Sequence, residues 1–331
     1  VLIVGGDISF AAGSVLAVDI NGAADTDLLS ASGTVELNGV TLQVTDLGAR
    51  PVLGQRYTIV DAGALAGEFS LTDSHLTNFL ALSAFFYTDK TAGLELVQRR
   101  QMEDAGLTDN QKEVGSELDR LPNGNDLKDN VLVLDNDDQA RDAFDQLSGE
   151  AHAAVRTLLA EDSRLPRNAI LDRLSDGEGA RLWGKGLWNQ GTSDGDRGTA
   201  KTKREGWGVL AGADFALGEN LLLGISGAYL DNDVDQRSRS SEGSVKSIHV
   251  LGYVGAQAGA LRVKAGVGYA WTDVETVRNI SFGGYQDRLT ADYNANLLQA
   301  FGEVGVCVPL GTGFVGPMAQ LIYLRAKTDG F

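Results

Sequence analysis

SGEAHAAVRTLLAEDSRLPRNAILDRL, residues 148–174, followed by ARLWGKGLWNQ, residues 180–190, is the stretch on which the reading of the fold turns. The first part has no aromatic residue, carries charge on several faces and reads as a helix. After a break at Gly177 and Gly179 the second part reads as a strand. The residues N-terminal to this stretch are repetitive, acidic and polar; those C-terminal to it read as paired strands with one apolar face. A helix this polar, feeding the first strand of such a sheet, makes sense if the strands close around it.

Seven strands are expected after it: 181–190, 207–217, 221–230, 245–256, 261–273, 297–308 and about 316–327. The fifth alternates most cleanly. Leu261, Val263, Ala265, Val267, Tyr269 and Trp271 fall on one face, and Arg262, Lys264, Gly266, Gly268 and Thr272 on the other. Alternation alone does not say whether the apolar face points in, as in a soluble barrel, or out, as in a membrane barrel. The connections expected at 191–206, 231–244 and 274–296 are long and polar, whereas those at 218–220, 259–260 and 309–315 are short. Long loops at one end and tight turns at the other are the habit of outer-membrane barrels. Trp183, Trp188, Trp207, Tyr229, Tyr269 and Trp271 lie near strand ends, where a membrane girdle would place them. Lys185, Asp214, Lys264 and Glu303 fall on the other phase, facing a hydrated lumen. The helix supplies Arg156, Glu161, Asp162, Arg164, Arg167, Asp172 and Arg173 to the same lumen, with Pro166 expected to end or bend it midway.

Residues 1–100 form short strands at close spacing, with Leu16, Val18, Ile20, Val35, Leu37, Leu42 and Val44 inward. Stacked rungs of a β-solenoid and a β-sandwich both satisfy this alternation. Leu76, Phe79, Leu80, Leu82, Phe85, Phe86 and Tyr87 are apolar and aromatic residues suited to cover the last rung. From 101 to 178 the chain turns helical. Thr108 and Asp109 start one helix with Val114, Leu118 and Leu121 at helical spacing, Pro122–Asn125 breaks it, and a short helix precedes the long one. Asp135-Asn136-Asp137-Asp138 lacks the glycine and terminal glutamate of an EF-hand loop and reads as an acidic helix start.

Composition narrows the function. Net charge is −17 with pI near 4.5, which argues against nucleic acid as a partner. The single Cys307 forms no intramolecular disulfide and sits in an expected strand. No run of about 18 apolar residues offers a transmembrane helix, which leaves a barrel open. The chain opens in mid-pattern, so an N-terminal part is expected to be missing. His75, His152 and His249 are scattered and read as structural. No HExxH or P-loop occurs, and no cofactor or metal is implied. Gly6-Asp7-Ile8-Ser9 has the flavour of a nucleophile block, but its context is a rung.

Several phrases carry a family resemblance. Gly13-Ser14-Val15-Leu16, Gly33-Thr34-Val35, Val40-Thr41-Leu42, Tyr57-Thr58-Ile59-Val60 and Gly67-Glu68-Phe69 resemble the C-terminal end of a pertactin-like autotransporter passenger. Phe144-Asp145-Gln146-Leu147-Ser148-Gly149-Glu150-Ala151-His152 is similar to the linker before autotransporter barrels. Leu182-Trp183-Gly184-Lys185-Gly186, Gly212-Ala213-Asp214, the run from Leu223 to Tyr229, Arg278-Asn279-Ile280 and Glu303-Val304-Gly305 resemble the β-domain itself.

The resemblance implies a mainly β chain: the end of a right-handed parallel β-helix with an autochaperone-like cap (1–100), a helical linker including a pore helix (101–178), and an antiparallel transmembrane β-barrel (179–331). That barrel would be incomplete, about seven of the family's twelve strands. Phe331 then imitates a terminal aromatic too early, and a fragment of this kind would not insert by itself. The implied function is type V secretion: an outer-membrane translocator and anchor of a Gram-negative bacterium, exporting its own N-terminal passenger to the cell surface. Its partners would be outer-membrane lipid, the barrel-insertion machinery, periplasmic chaperones and, for an adhesin or virulence passenger, a host or neighbouring-cell surface. The alternatives are a β-helix that itself binds, an enzyme passenger carried upstream, and a soluble all-β sugar-binding protein. The chain itself is expected not to be an enzyme. The one reaction considered is self-cleavage of the linker at Asn168-Ala169 with Glu303 as the polarising acid.

Overall fold

The computed structural model describes residues 1–21, 25–46, 53–71, 77–176, 181–195, 199–236, 239–311 and 313–329. Two compact units divide at 148/149: residues 1–148 with 280–287, and residues 149–279 with 288–331.

The first unit begins with ten strands: β1 (Leu2–Val4), β2 (Ile8–Ser9), β3 (Val15–Asn21), β4 (Asp25–Thr26), β5 (Leu29–Glu36), β6 (Thr41–Asp46), β7 (Arg56–Ala66), β8 (Ser70–Leu71), β9 (Leu80–Tyr87) and β10 (Thr91–Gln98). They form two sheets. In one, β1 and β2 pair in parallel with β5, and β5 in parallel with β7, placing Leu2 beside Leu29 and Leu29 beside Val60. In the other, β3, β6 and β8 pair in parallel, placing Val15 beside Thr41 and Thr41 beside Ser70. Parallel strands this short, with no helix between them, return the chain to the same ladder after each circuit, so identical faces stack. Val18, Ile20, Val35, Leu37 and Leu42 are buried in the core the two sheets share, and Leu16 and Val44 pack against it half-buried. Asp7 is structural: its carboxylate accepts from the Thr34 backbone N–H at 2.7 Å, tying the chain before β2 to β5.

The antiparallel hairpin β9–β10 covers the β7 side of the first ladder. Phe85 lies 5.9 Å from Phe69 and 6.0 Å from Tyr87, whose hydroxyl accepts from the Phe69 N–H at 2.9 Å. Of the residues expected to form a cap, Phe79 and Leu80 instead belong to a second core, made with the helices. Leu76 and His75 lie outside the described residues.

Next come three helices: α1 (Asp109–Arg120), α2 (Asp126–Leu132) and α3 (Asp137–Leu147). Thr108 and Gln111 close a capping box on α1. Asn136 caps α3, and Asp137 accepts from Asn78 and pairs with Arg100 and Arg141, so this acidic cluster is a helix start tied to its neighbours. The helix α2, seven residues long and capped by Asn125, is not expected from the sequence. Leu118, Leu132, Phe144, Met102 and Phe79 are buried together.

The second unit holds α4 (Glu150–Asp162), α5 (Arg164–Ser175) and a seven-stranded up-and-down sheet. Its strands, in spatial order, are β11 (Leu182–Ser193), β12 (Thr202–Ala216), β13 (Leu221–Gln236), β14 (Ser241–Ala258), β15 (Leu261–Phe282), β16 (Tyr285–Val306) and β19 (Met318–Thr328). A small hairpin, β17 (Val308–Leu310) with β18 (Gly313–Val315), sits between the last two. Cys307 falls in the link after β16 rather than within a strand.

Two expectations are corrected here. Most of 191–206, 231–244 and 274–296, read as long loops, is strand, and β15 and β16 run for 22 residues each. The helix does not end or bend at Pro166. It breaks at Ser163, three residues earlier, and α5 is then regular to Ser175. Pro166 is the third residue of α5, where its missing N–H has no intrahelical partner to lose.

Candidate functional site

The outer face of the sheet is an apolar belt with sharp edges. On β12 and the residue that follows it, the outward residues are Trp207, Val209, Ala211, Ala213, Phe215 and Leu217, with Trp207 49 % and Phe215 57 % exposed. Trp207 to Leu217 runs about 33 Å along the strand at about 3.3 Å per residue. At a tilt of about 40° that projects to about 25 Å, the height of a barrel's lipid-facing band. Cross-strand register gathers the aromatic residues into three adjoining outward rows: Trp188 with Trp207, Tyr229 in line with Val209, Ile248 and Trp271, and Tyr269 opposite Val250. Trp207 and Tyr229 rings lie 5.9 Å apart, those of Tyr269 and Trp271 4.9 Å. The row of Trp188 and Trp207 continues across the next three strands as Asp231, Lys246 and Asp273, so the apolar belt ends at this row.

Trp183 does not join that girdle. It points inward, donating its indole N–H to the Tyr253 hydroxyl at 2.9 Å and the Asp214 carboxylate at 3.2 Å. Its neighbour Leu182 is the outward residue, 83 % exposed.

The inner face packs on the two helices at different heights. Beyond the aromatic rows it carries apolar side chains among buried polar ones such as Asn232, Gln236 and Thr276. Val234, Val245, Val274, Tyr293 and Ala295 pack on Val155, Leu158 and Leu159 of α4. Behind the apolar belt the inner face meets α5 through apolar and polar groups together: Ile170 and Leu171 pack with Leu251, Tyr253 and Phe301, and charged pairs lie among them. Arg173 pairs with Asp214 at 2.7 Å, both side chains buried, and the Tyr253 hydroxyl also bonds Asp214. Lys264 reaches Glu303 at 2.7 Å and Ser175 at 2.6 Å. Arg167 donates to Gln299 at 3.3 Å, and Lys185 pairs with Asp172 at 3.1 Å. Inward glycines leave room for large neighbours. A Cβ at Gly224 would stand 2.2 Å from the Tyr253 ring, and one at Gly266 2.4 Å from the Phe301 ring.

Three further contacts are not foreseen from the sequence. At the α4–α5 break, Asp162 is buried and accepts from Asn232 at 2.7 Å and Asn189 at 3.3 Å. At the start of α4, Glu150 accepts from Arg239 at 3.0 Å and from the Ala200 N–H, gripping both the β11–β12 and β13–β14 connections. Glu161 pairs with Arg204 of β12. The partners Arg204, Asn232 and Arg239 fall in segments that read as loops in the sequence, which hides such pairs. Of the expected lumen set, Arg156, Arg164, Asp172 and Lys185 are exposed.

The self-cleavage trio is not assembled. Asn168 is exposed, Ala169 is buried against Leu187, Leu210 and Ala228, and Glu303 is engaged by Lys264 beside Ser175. Ser175 lies seven residues from Asn168, about 10 Å along a helix. His152 contacts the Tyr293 hydroxyl and His249 contacts Ser247, each without a nucleophile–base–acid arrangement among the described residues.

Residues 182–331 match the autotransporter β-domain family. Two extracellular serine proteases of Serratia marcescens are 28 % and 27 % identical to the chain, over 62 % and 70 % of it. The matches take in 21 % and 23 % of those proteins, so the chain spans about a fifth of their length. Among solved structures, the translocator domain of the autotransporter NalP from Neisseria meningitidis aligns with 54 % of this chain and 61 % of its own, at 22 % identity and a TM-score of 0.46.

Proposed function

The chain carries an autotransporter β-domain over residues 182–331, and on that premise we propose that it is the translocator and membrane anchor through which its own N-terminal part reaches the cell surface. The observation that carries this is the two-sided sheet. Its outer face is an apolar belt of membrane height bounded by aromatic residues, and its inner face is lined by groups that engage α4 and α5. In water such an outer face would be a liability; in lipid it is the stable arrangement.

In this reading the strands form part of a barrel wall and α4–α5 lie in its pore. Residues 1–100 are the end of a parallel β-helix passenger with β9–β10 as its cap, and residues 101–148 are the connection between them. Folding of that end outside the membrane would favour outward movement without nucleotide, because each rung stabilises the next only after both have emerged. The partners are outer-membrane lipid, the barrel-insertion machinery and periplasmic chaperones. The described residues do mechanical rather than bond-making work. An adhesive role for the β-helix remains the alternative for the surface part. A passenger enzyme, in line with the serine-protease names of the two relatives, is the alternative for the cargo.

The test is fractionation of cells expressing the natural full-length gene, with electrophoresis of heated and unheated samples. Outer-membrane residence with a heat-shifted band is expected. A soluble product with no shift would overturn the reading.

A further inference from the structure

The tip of the β15–β16 hairpin, residues 280–287, belongs to the compact unit of the helices α1–α3, whereas the rest of both strands does not. Its sequence, Ile280-Ser281-Phe282-Gly283-Gly284-Tyr285, is odd for a hairpin tip in water, which ordinarily presents polar side chains. Ile280 is buried. Phe282 packs on the core that contains Phe79, Leu132 and Phe144, and its ring stacks on Tyr285 at 5.6 Å. The Ser281 N–H donates to the Gln146 side chain of α3 at 2.7 Å. The two glycines face the end of α2. A Cβ at Gly283, which holds φ +57°, would stand 3.1 Å from the Asn130 carbonyl and 3.2 Å from Leu134. At Gly284 it would stand 3.4 Å from the Asn130 side chain. A turn of this shape suits glycine anyway; here the missing side chains also let the backbone lie close against the helix.

We propose that this tip is a capture site built into the β-domain for the exported helical segment 101–148, supplying Phe282 to complete the helical core. The inference rests on the translocator reading. The core of α1–α3 then closes fully only where the hairpin tip is, so these helices are held outside once they arrive and the passenger end stays at the surface.

The experiment uses the full-length protein in the outer membrane of intact cells, comparing wild type with Phe282→Ser and with Gly284→Asp. Trypsin cleavage at Lys128 and Arg141 reports the helices; the heat-shifted band reports the barrel. Capture predicts cleavage at least tenfold faster in both variants with the heat shift unchanged. Equal cleavage rates with the heat shift intact would overturn capture and leave the translocator reading standing. Absence of a heat-shifted band in wild type would overturn that reading, and capture with it. Should a tip variant itself lose the heat shift, the helix-side variant Gln146→Ala, which removes the acceptor for the Ser281 N–H and leaves the β-domain sequence untouched, decides in the same way.

Discussion

Replacing Arg173 by Met should unseat α5 from the sheet. The Arg173 and Asp214 side chains are 4 % and 0 % exposed, with Nη2 2.7 Å from Oδ2. Without the guanidinium, Asp214 keeps only two neutral donors, the Trp183 indole and the Tyr253 hydroxyl. Orphaning a buried charge in this way costs about 3–5 kcal/mol, against about 0–1 kcal/mol for an exposed pair. At about 1.4 kcal/mol per decade, the folding equilibrium falls roughly a hundredfold to several thousandfold. Asp214→Asn keeps an acceptor for the guanidinium but removes the buried counter-charge, and should cost less than Arg173→Met. Arg173→Met with Asp214→Leu removes both charges and should recover most of either loss. The assay is urea unfolding of the full-length protein in lipid vesicles, read by loss of the heat-shifted band, with the four variants forming a cycle. A single-variant cost below about 1 kcal/mol, with no coupling in the cycle, would mean the pair is solvated and α5 is not packed where the structure has it.

The same geometry sets other outcomes. In single-tryptophan variants, brominated lipid should quench Trp188, Trp207 and Trp271 strongly and Trp183 weakly; equal quenching would put Trp183 back in the girdle. Gly224→Ala pushes a Cβ into the Tyr253 ring and should cost about 1–3 kcal/mol by overpacking, largely relieved by Tyr253→Ala in the same chain. Burial raises the Tyr87 hydroxyl above its ordinary 10.0, opposed by the Phe69 N–H and aided by Glu68. Folding therefore gains from the protonated phenol below pH 10 and loses that gain as pH rises through the folded value. Tyr87→Phe should cost about 1 kcal/mol at neutral pH, for the lost acceptor, and flatten the alkaline decline in the thermal melt of the first unit. An unchanged alkaline decline would assign it elsewhere.

The β-domain is legible in the sequence where lipid acts on it. Along 261–271 every second residue is apolar because only the outward face meets hydrocarbon. Past Trp271 the phase continues but its polarity inverts: Asp273 and Glu275 face out while Val274 faces in against α4. Tracking one apolar face therefore ends the strand at residue 273, when the ladder continues to Phe282. The missed strand ends, the misjudged loops and the unforeseen tip at 280–287 share that cause.

Inside the sheet the difficulty is different in kind. Asp214 and Lys264 can be assigned to the inner face by parity, because side-chain direction alternates with strand position. Which helix residue meets each of them depends on where the helix breaks, and the break is set by tertiary contacts. Pro166 is the residue a sequence reader notices, yet Ser163 is where the chain turns, between Asp162 held by two asparagines and Arg167 reaching Gln299. Tryptophan near a strand end suits a membrane girdle, and that preference alone puts Trp183 on the outside. Its parity with Lys185 places it inward, and Gly212 on the adjacent strand leaves the space its indole fills. Strand parity, applied before residue preference, excludes Trp183 from the girdle and leaves Trp188 and Trp207, which face each other across β11 and β12, to begin it.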